Sequence, residues 1–339
     1  MHVKSISERL AKRHNVTVYA TNPNMKYPRH EVINGVKVER FKCYSPSDSY
    51  FLSWEMLLRL RKVKFDVIHG HFYHAFPLHL SALGKYKKFI ATPHFHGSGH
   101  TLFRDCFIRL LKPFGERTFK KAHRIVCVSE HERKSILRQF KVDYNKIVLI
   151  PNGVDLGSFS NIQRQNHGFK SVIYVGCLRV YKGVHYLVEV LPKLEKNVVL
   201  EIVGDGPLKP YLKKRAKELN IYERVKFYKN LERLELLQKY IDADVLVLLS
   251  THEAYSLVVA EALTAGTPCI VANASALSEW IDEETCFGID FPISINALAK
   301  LIRKVISIGK IEQKTGKWLY TKILDWDEVV QRLEKLYFD

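Results

Sequence analysis

Short β-branched runs alternate with amphipathic, charge-rich segments along nearly the whole chain, and the alternation occurs twice. In the first half the runs are Val16–Ala20, Val36–Phe41, Val67–His69, Phe89–Thr92, Ile125–Ser129 and Val148–Ile150. In the second they are Val172–Val175, Val199–Val203, Val225–Phe227, Val245–Leu249 and Cys269–Ala272. Helical patterns such as Tyr186–Leu194, Leu208–Leu219 and Leu234–Ile241 lie between them. Apolar strands separated by helices pair in parallel and are covered on both faces. The fold class is therefore α/β, with two Rossmann-like domains whose parallel sheets face a cleft. Ligands of such sheets sit outside the carboxyl ends of the strands.

The boundary falls at Pro151-Asn152-Gly153-Val154-Asp155, where Pro ends a strand and Asn-Gly permits a turn. This predicts a first domain over 1–155 and a second over 156–325. Residues 326–339 form an amphipathic helix expected to pack back on the first domain. The polar stretch Ser158–Gly168 reads as a linker.

No run of eighteen apolar residues is present, so no transmembrane helix is expected. Met1–Leu10 has no apolar core and does not read as a signal peptide. The six cysteines are scattered without ligand spacing, which predicts reduced thiols of a cytoplasmic protein and no zinc site built on them. Charge is uneven. Residues 1–165 hold 29 Lys and Arg against 12 Asp and Glu, while residues 166–339 hold 24 against 23. Such a basic half points to an anionic partner. No nucleic-acid recognition motif accompanies it, so no nucleic acid is expected. Between His100 and Ala122, bulky apolar residues mix with Arg104, Arg109, Lys112, Arg117, Lys120 and Lys121. That mixture fits a helix at an anionic membrane surface, and peripheral contact with the inner face of the cell membrane follows as an expectation. An ordinary core-facing helix with a basic face fits it equally. Pro113 and Gly115 are expected to interrupt any continuous helix there.

The segment with the most chemistry starts where the run Val245–Leu249 ends. Glu253 and Glu261 stand eight apart, with Glu261 on an apolar helix that stops at Gly266. Eight helical residues span roughly 12 Å, which suits two parts of one extended ligand better than one acid/base pair. The helix start between them, at Ser256 and Leu257, offers free N–H groups and a positive dipole end to a diphosphate. Each carboxylate can accept two hydroxyl hydrogen bonds, the chemistry that holds sugar and ribose diols.

This segment resembles the E-x7-E signature of glycosyltransferase family 4, a retaining family of GT-B architecture. Further matches are Pro151–Asp155, Gly176-Cys-Leu-Arg179-Val-Tyr-Lys182-Gly183, Val203-Gly204-Asp205-Gly206-Pro207, Ala243-Asp244-Val245 and Ala265-Gly-Thr-Pro268. The resemblance implies a glycosyltransferase moving a sugar from a nucleotide-sugar donor to a glycan or lipid-linked acceptor. In that role Glu253 would hold the donor sugar and Glu261 the ribose. Arg179 and Lys182 would neutralise the diphosphate. Gly183, Gly204 and Gly206 would let backbone approach the nucleotide, alongside Ser256 and Leu257. The nucleotide sugar is a substrate; no cofactor and no metal is expected. Asp242-Ala-Asp244 matches a metal-binding pattern of another transferase fold, but Asp244 adjoins a buried strand and reads as structural.

Ala254 and Ser256, and the pair Ser275-Ala276, stand where the family usually carries small residues or glycine. Twelve of the fifteen histidines lie in the first half. His94, in Thr92-Pro93-His94, matches the position where related transferases place a histidine beside the reacting sugar. His71 and His96 are further candidates on the acceptor side. Family members also open with a strand and a glycine-rich loop. Here the helix pattern Ser5–Arg13 comes first, which predicts a gap in the first sheet. The alternative function is a catalytically impaired nucleotide-sugar-binding subunit acting with a partner.

Overall fold

The computed structural model describes residues 2–47, 50–97, 102–311 and 323–338, without the side chains of 46, 47, 50 and 102–110. The chain divides into two compact units. One comprises Met1–Gly153 with Leu324–Asp339, the other Val154–Ile323.

In the first unit, β1 (Thr17–Thr21), β2 (His30–Ile33) and β3 (Val36–Phe41) form a sheet of order β1-β3-β2, with β1 parallel and β2 antiparallel to β3. A hairpin of β4 (Tyr44–Ser47) and β5 (Tyr50–Leu52) follows. Then β6 (Lys64–His71), β7 (Lys85–Thr92), β8 (Arg124–Cys127) and β9 (Ile147–Leu149) form a parallel sheet in chain order. Among the described residues no strand pairing joins the two larger sheets. A cavity of about 1260 Å³ lies where β1 and β6 could otherwise meet, lined by Leu10, Tyr19, Ile68 and Tyr337 among others.

The helices are α1 (His2–Leu10), α2 (Trp54–Lys62), α3 (Phe76–Ser81), α4 (Leu102–Lys121) and α5 (Glu130–Gln139). The C-terminal helix, Trp326–Phe338, packs on α1 and is tied to that end of the chain by Arg9–Asp327 at 2.9 Å and Arg13–Glu334 at 2.7 Å. The expected break at Pro113 does not occur, since α4 is one helix with Pro113 inside it. Proline removes one helical hydrogen bond, but packing overrides propensity here. Tyr73 and Phe140 close on Gly115, where a Cβ would stand 2.6 Å from the Tyr73 ring. Phe89, Phe95 and Phe119 complete this buried aromatic core. The apolar and basic side chains of 102–110, on which the membrane reading partly rests, lie outside the described residues.

The chain enters the second unit at β10 (Gly153–Val154) and returns at Leu324–Asp325. The second unit holds a six-stranded, all-parallel sheet of β11 (Lys170–Val175), β12 (Val198–Val203), β13 (Val225–Tyr228), β14 (Val245–Leu248), β15 (Cys269–Ala272) and β16 (Cys286–Ile289). Its order is β13-β12-β11-β14-β15-β16. Counted from β11, that is 3-2-1-4-5-6, the doubly wound order with its topological switch between the first and fourth strands. β11 is buried at every position after its first, as a central parallel strand must be. Helices α6 (Val184–Val190), α7 (Lys209–Glu218), α8 (Arg233–Asp242), α9 (Leu257–Thr264) and α10 (Ile295–Ile308) cover the sheet. Among them α6 packs on α7 and α10, and α8 packs on α9.

The stretch Ser158–Gly168 is not a free linker. Phe159 is buried, Arg164 meets Asp244 at 2.8 Å, and the Gln165 N–H donates to Asp242 at 2.7 Å. Asp244 also accepts from the Ser171 N–H at 2.8 Å, so protein groups occupy both carboxylates of the Asp-x-Asp pattern.

Candidate functional site

The loops that leave β11 and β14 flank the switch point, and they carry most of the expected donor residues. After β11 the chain runs Gly176-Cys177-Leu178-Arg179, makes a short 3-10 turn over Val180–Lys182, and enters α6 through Gly183. Gly183 has φ +72°, and a Cβ there would run into the Leu249 carbonyl at the end of β14. Only glycine allows the two loops to close on each other at that point. The Thr251 N–H donates to the Tyr181 carbonyl at 2.9 Å and fastens them further.

That closure brings Lys182 and Glu253 together. Lys182 Nζ lies 2.5 Å from Glu253 Oε1, and each side chain keeps less than a fifth of its exposure. The ammonium also sits over the Tyr181 ring, 5.4 Å from its centroid. The backbone of Glu253 is held from the other side, its N–H donating to Ser275 Oγ at 2.9 Å. Arg179 lies three residues before Lys182 on the same loop and is half-buried. Gly204 and Gly206 follow β12 and pack against the Gly176–Leu178 backbone.

Ser256 and Leu257 begin α9 as expected, but Ser256 takes φ +87°, a conformation that favours glycine. Its Oγ accepts a hydrogen bond from the Val259 N–H at 3.4 Å. Ser275 likewise has φ +51°. Of the four residues that depart from the family pattern, Ser256 and Ser275 thus hold a glycine-like backbone, and Ala254 and Ala276 do not.

Glu261 does not join Lys182. Its carboxylate is 5% exposed and pairs with Arg233 of α8 at 2.7 Å. Burial pushes its pKa up, while Arg233 and the Tyr240 hydroxyl pull it back. Arg233 was not singled out from sequence. The only signal for it was that a carboxylate among Val259, Ala260, Ala262 and Leu263 requires a partner.

In the first unit, β6 and β7 deliver the histidines. Phe72 and His94 both have positive φ, +66° and +49°. The Phe72 N–H donates to the Thr92 carbonyl at 3.1 Å and the Tyr73 N–H to the Pro93 carbonyl at 2.6 Å, which fixes the two strand ends side by side. Glu132 at the start of α5 fixes the next residues by accepting from the Phe95 N–H at 2.6 Å and the Val128 N–H at 2.7 Å. Burial pushes Glu132 up to about 8 against these two donors. His71 and His94 come together, with ring centroids 5.8 Å apart. His96 stands with His74 instead, at 4.7 Å. Burial drives the pKa of His71 and of His94 well below the usual imidazole range, so both are neutral.

Residues 1–158 match the family model for Glycosyltransferase Family 4, and residues 158–320 match the model for Glycosyl transferases group 1. The chain belongs to glycosyltransferase family 4. It is a glycosyltransferase of GT-B architecture. An uncharacterized glycosyltransferase of Methanocaldococcus jannaschii is 25% identical to it over 99% of this chain and 93% of its own length. The UDP-Gal:alpha-D-GlcNAc-diphosphoundecaprenol alpha-1,3-galactosyltransferase of Escherichia coli is 26% identical over 83% of this chain and 77% of its own. Among solved structures, Anabaena HepE in complex with UDP and glucose superposes with a TM-score of 0.75 at 16% identity, covering 98% of this chain and 94% of that one. No described helix of this glycosyltransferase is long and apolar enough to cross a membrane.

Proposed function

We propose that this glycosyltransferase takes its sugar from a uridine diphosphate sugar and transfers it, with retention, to a lipid-linked glycan at an anionic membrane surface. The observation that carries the donor half of this reading is the Lys182–Glu253 pair, set at the switch point of the second sheet. Without ligand the two charges neutralise each other in a half-dry site. A bound donor gives each a better partner: the diphosphate takes Lys182, and the sugar hydroxyls take Glu253. Arg179 adds a second cation, and the N–H groups at Ser256 and Leu257 face the phosphates from the start of α9. Glu261, held by Arg233, takes the ribose. With these charges in place no metal is required for the phosphate.

The uridine nucleotide is supported by the E. coli relative and the Anabaena structure, whose names carry UDP-Gal and UDP. The acceptor class is supported by the same E. coli relative and by the basic first half of the chain. No carboxylate stands out as a nucleophile. In this reading the leaving phosphate accepts the acceptor's proton on the face it departs from, and the protein supplies position and charge stabilisation. His94, neutral and buried, offers a hydrogen bond to the reacting sugar. A cytoplasmic enzyme at the inner membrane face is consistent with each of these elements.

The test is direct. Lys182→Ala and Glu253→Gln should each lower the transfer rate by about 10²–10³-fold and leave the unfolding temperature near that of the wild type. UDP should raise that temperature in the wild type and less so in Lys182→Ala. Wild-type rates in both variants would remove this site from the chemistry.

A further inference from the structure

Three histidines of the first unit converge from three separate parts of the chain. His2 comes from the first turn of α1, His71 from the end of β6 and His94 from the loop after β7. One ring nitrogen of each lies within 4.8 Å of the other two. The ring centroids are 5.2 Å apart for His2 and His71, and 4.7 Å for His2 and His94. Nδ1 of His71 and Nε2 of His94 are buried without a hydrogen-bond partner among the described residues, and the two buried nitrogens of His2 have only Asn152 beside them. Their neighbour His69 shows what a satisfied imidazole looks like here: Nδ1 meets the Tyr337 hydroxyl and Nε2 the Thr92 hydroxyl, both at 2.7 Å. A buried polar atom left unpaired is costly, because it gives up its hydrogen bonds to water without replacing them. Several unpaired nitrogens this close together call for a shared partner that can take lone pairs.

We propose that His2, His71 and His94 bind one divalent transition-metal ion, with zinc the best match to the ligand set. Three imidazoles and no carboxylate suit zinc and its borderline neighbours, and do not suit magnesium or calcium, which take oxygen. Three histidines plus an open fourth position is a known zinc arrangement. Zinc–nitrogen bonds of about 2.1 Å require nitrogens roughly 3.4 Å apart, so the ring nitrogens must close by up to about 1.4 Å. Ligating histidines normally give their other N–H to an outer acceptor. For His2 that acceptor is Asn152, which lies beside it with a buried, unpaired Oδ1.

The site goes beyond the proposed transfer reaction and does not rest on it, because all its ligands belong to the first unit and none handles the donor phosphate. Its ion would claim one nitrogen of His94 and leave the other for a sugar hydroxyl. The ion is therefore a structural or controlling element, not the phosphate-binding metal of other transferases.

The experiment uses the full chain, free of any histidine tag and stripped of metal with a chelator. Co²⁺ should bind once per chain, with the strong visible bands of a four-coordinate site, and one equivalent of Zn²⁺ should bleach them. Losing an outer partner alone typically weakens a site by about 10–100-fold. His2→Ala and His71→Ala should therefore each weaken Zn²⁺ binding by more than that in calorimetry, with His185→Ala in the second unit unchanged. If His71→Ala fails to fold, His2→Ala at the chain start carries the test. Wild-type protein that binds no Zn²⁺, or His2→Ala that binds as tightly as His185→Ala, would overturn the proposal.

Discussion

In the second unit the buried charges come with partners, whereas the first unit buries imidazoles that carry no charge. Glu201 is 1% exposed in the middle of β12 and accepts from Lys239 at 2.7 Å, Ser171 at 2.7 Å and Tyr228 at 2.8 Å. Glu261 has Arg233, and Asp244 has Arg164, Lys170 and the Ser171 N–H. In the first unit His2, His69, His71, His79 and His94 all have their pKa driven down by burial. Under the proposed function the second unit receives a charged diphosphate, and fixed, compensated charges suit that role. A unit that meets neutral hydroxyls can use neutral polar rings. The two halves share a topology class, but they solve the cost of burying polar groups by different chemistry.

The sharpest way to break this contrast is to unpair a charge in the second unit. Burial alone would raise the Glu201 pKa, but Lys239, Ser171 and Tyr228 outweigh it and hold the carboxyl below its ordinary value. Lys239→Ala removes the only cation among these donors. Breaking a buried pair costs about 3–5 kcal/mol, and denaturant unfolding followed by a probe in the second unit should register a loss of that size. The double variant Lys239→Met, Glu201→Met should recover most of it, since an apolar pair avoids the stranded charge. A loss below about 1 kcal/mol in the single variant, the worth of a surface pair, would mean that Glu201 is not as dry as it looks.

Acid offers the complementary test in the first unit. His79 is 8% exposed, with Nδ1 on the Thr118 hydroxyl at 2.9 Å and Nε2 on the Tyr73 carbonyl at 3.1 Å. Burial lowers its pKa from 6.5 to about 4. The unfolded chain therefore takes up a proton near pH 6.5 while the folded chain does not until about pH 4. Stability from the neutral ring is complete above pH 6.5 and falls as pH drops through that window, by about 3 kcal/mol in all. The depressed Glu201 acts in the same direction, but only below its ordinary value near 4.5. Between pH 6.5 and 5, hydrogen exchange should thus quicken in β6 and α3 before it does in β11 and β12. His2, His69, His71 and His94 act in the same direction and Glu132, raised to about 8, acts against them, so His79→Gln should remove only its own share of that response. Equal quickening in both units would erase the distinction.

The second unit was the more legible half in sequence. Its central strands are β-branched runs, broken only by Ser171 in β11 and Glu201 in β12, and the E-x7-E spacing marked the loop after β14 directly. β16 escaped because Cys286-Phe287-Gly288-Ile289 is a short run broken by glycine. In the first unit β2 escaped for the opposite reason: His30–Ile33 is an exposed edge strand with no apolar alternation to show it. The site was legible where chemistry and chain order coincide, as with Lys182 and Glu253. It was illegible where a partner comes from a distant element. Arg233 looks like any helix-start arginine until Glu261 is seen against it, and His2 sits in a segment that the histidine clusters gave no reason to consider.

The smallest effect concerns a residue where family pattern and structure meet. Ser256 caps α9 through its hydroxyl, yet holds φ +87° and ψ +84°, where a Cβ is strained by about 1–2 kcal/mol. Ser256→Gly removes the strain and gives up the cap, which costs only a few tenths of a kcal/mol when glycine replaces serine. It should stabilise the second unit by up to about 1 kcal/mol. Ser256→Ala keeps the strain and loses the cap, and should destabilise by about 1 kcal/mol. The sign difference between the two variants, read by thermal unfolding, separates backbone strain from hydrogen bonding. If both variants destabilise, the hydroxyl's hydrogen bond to the Val259 N–H matters more than the dihedral angle.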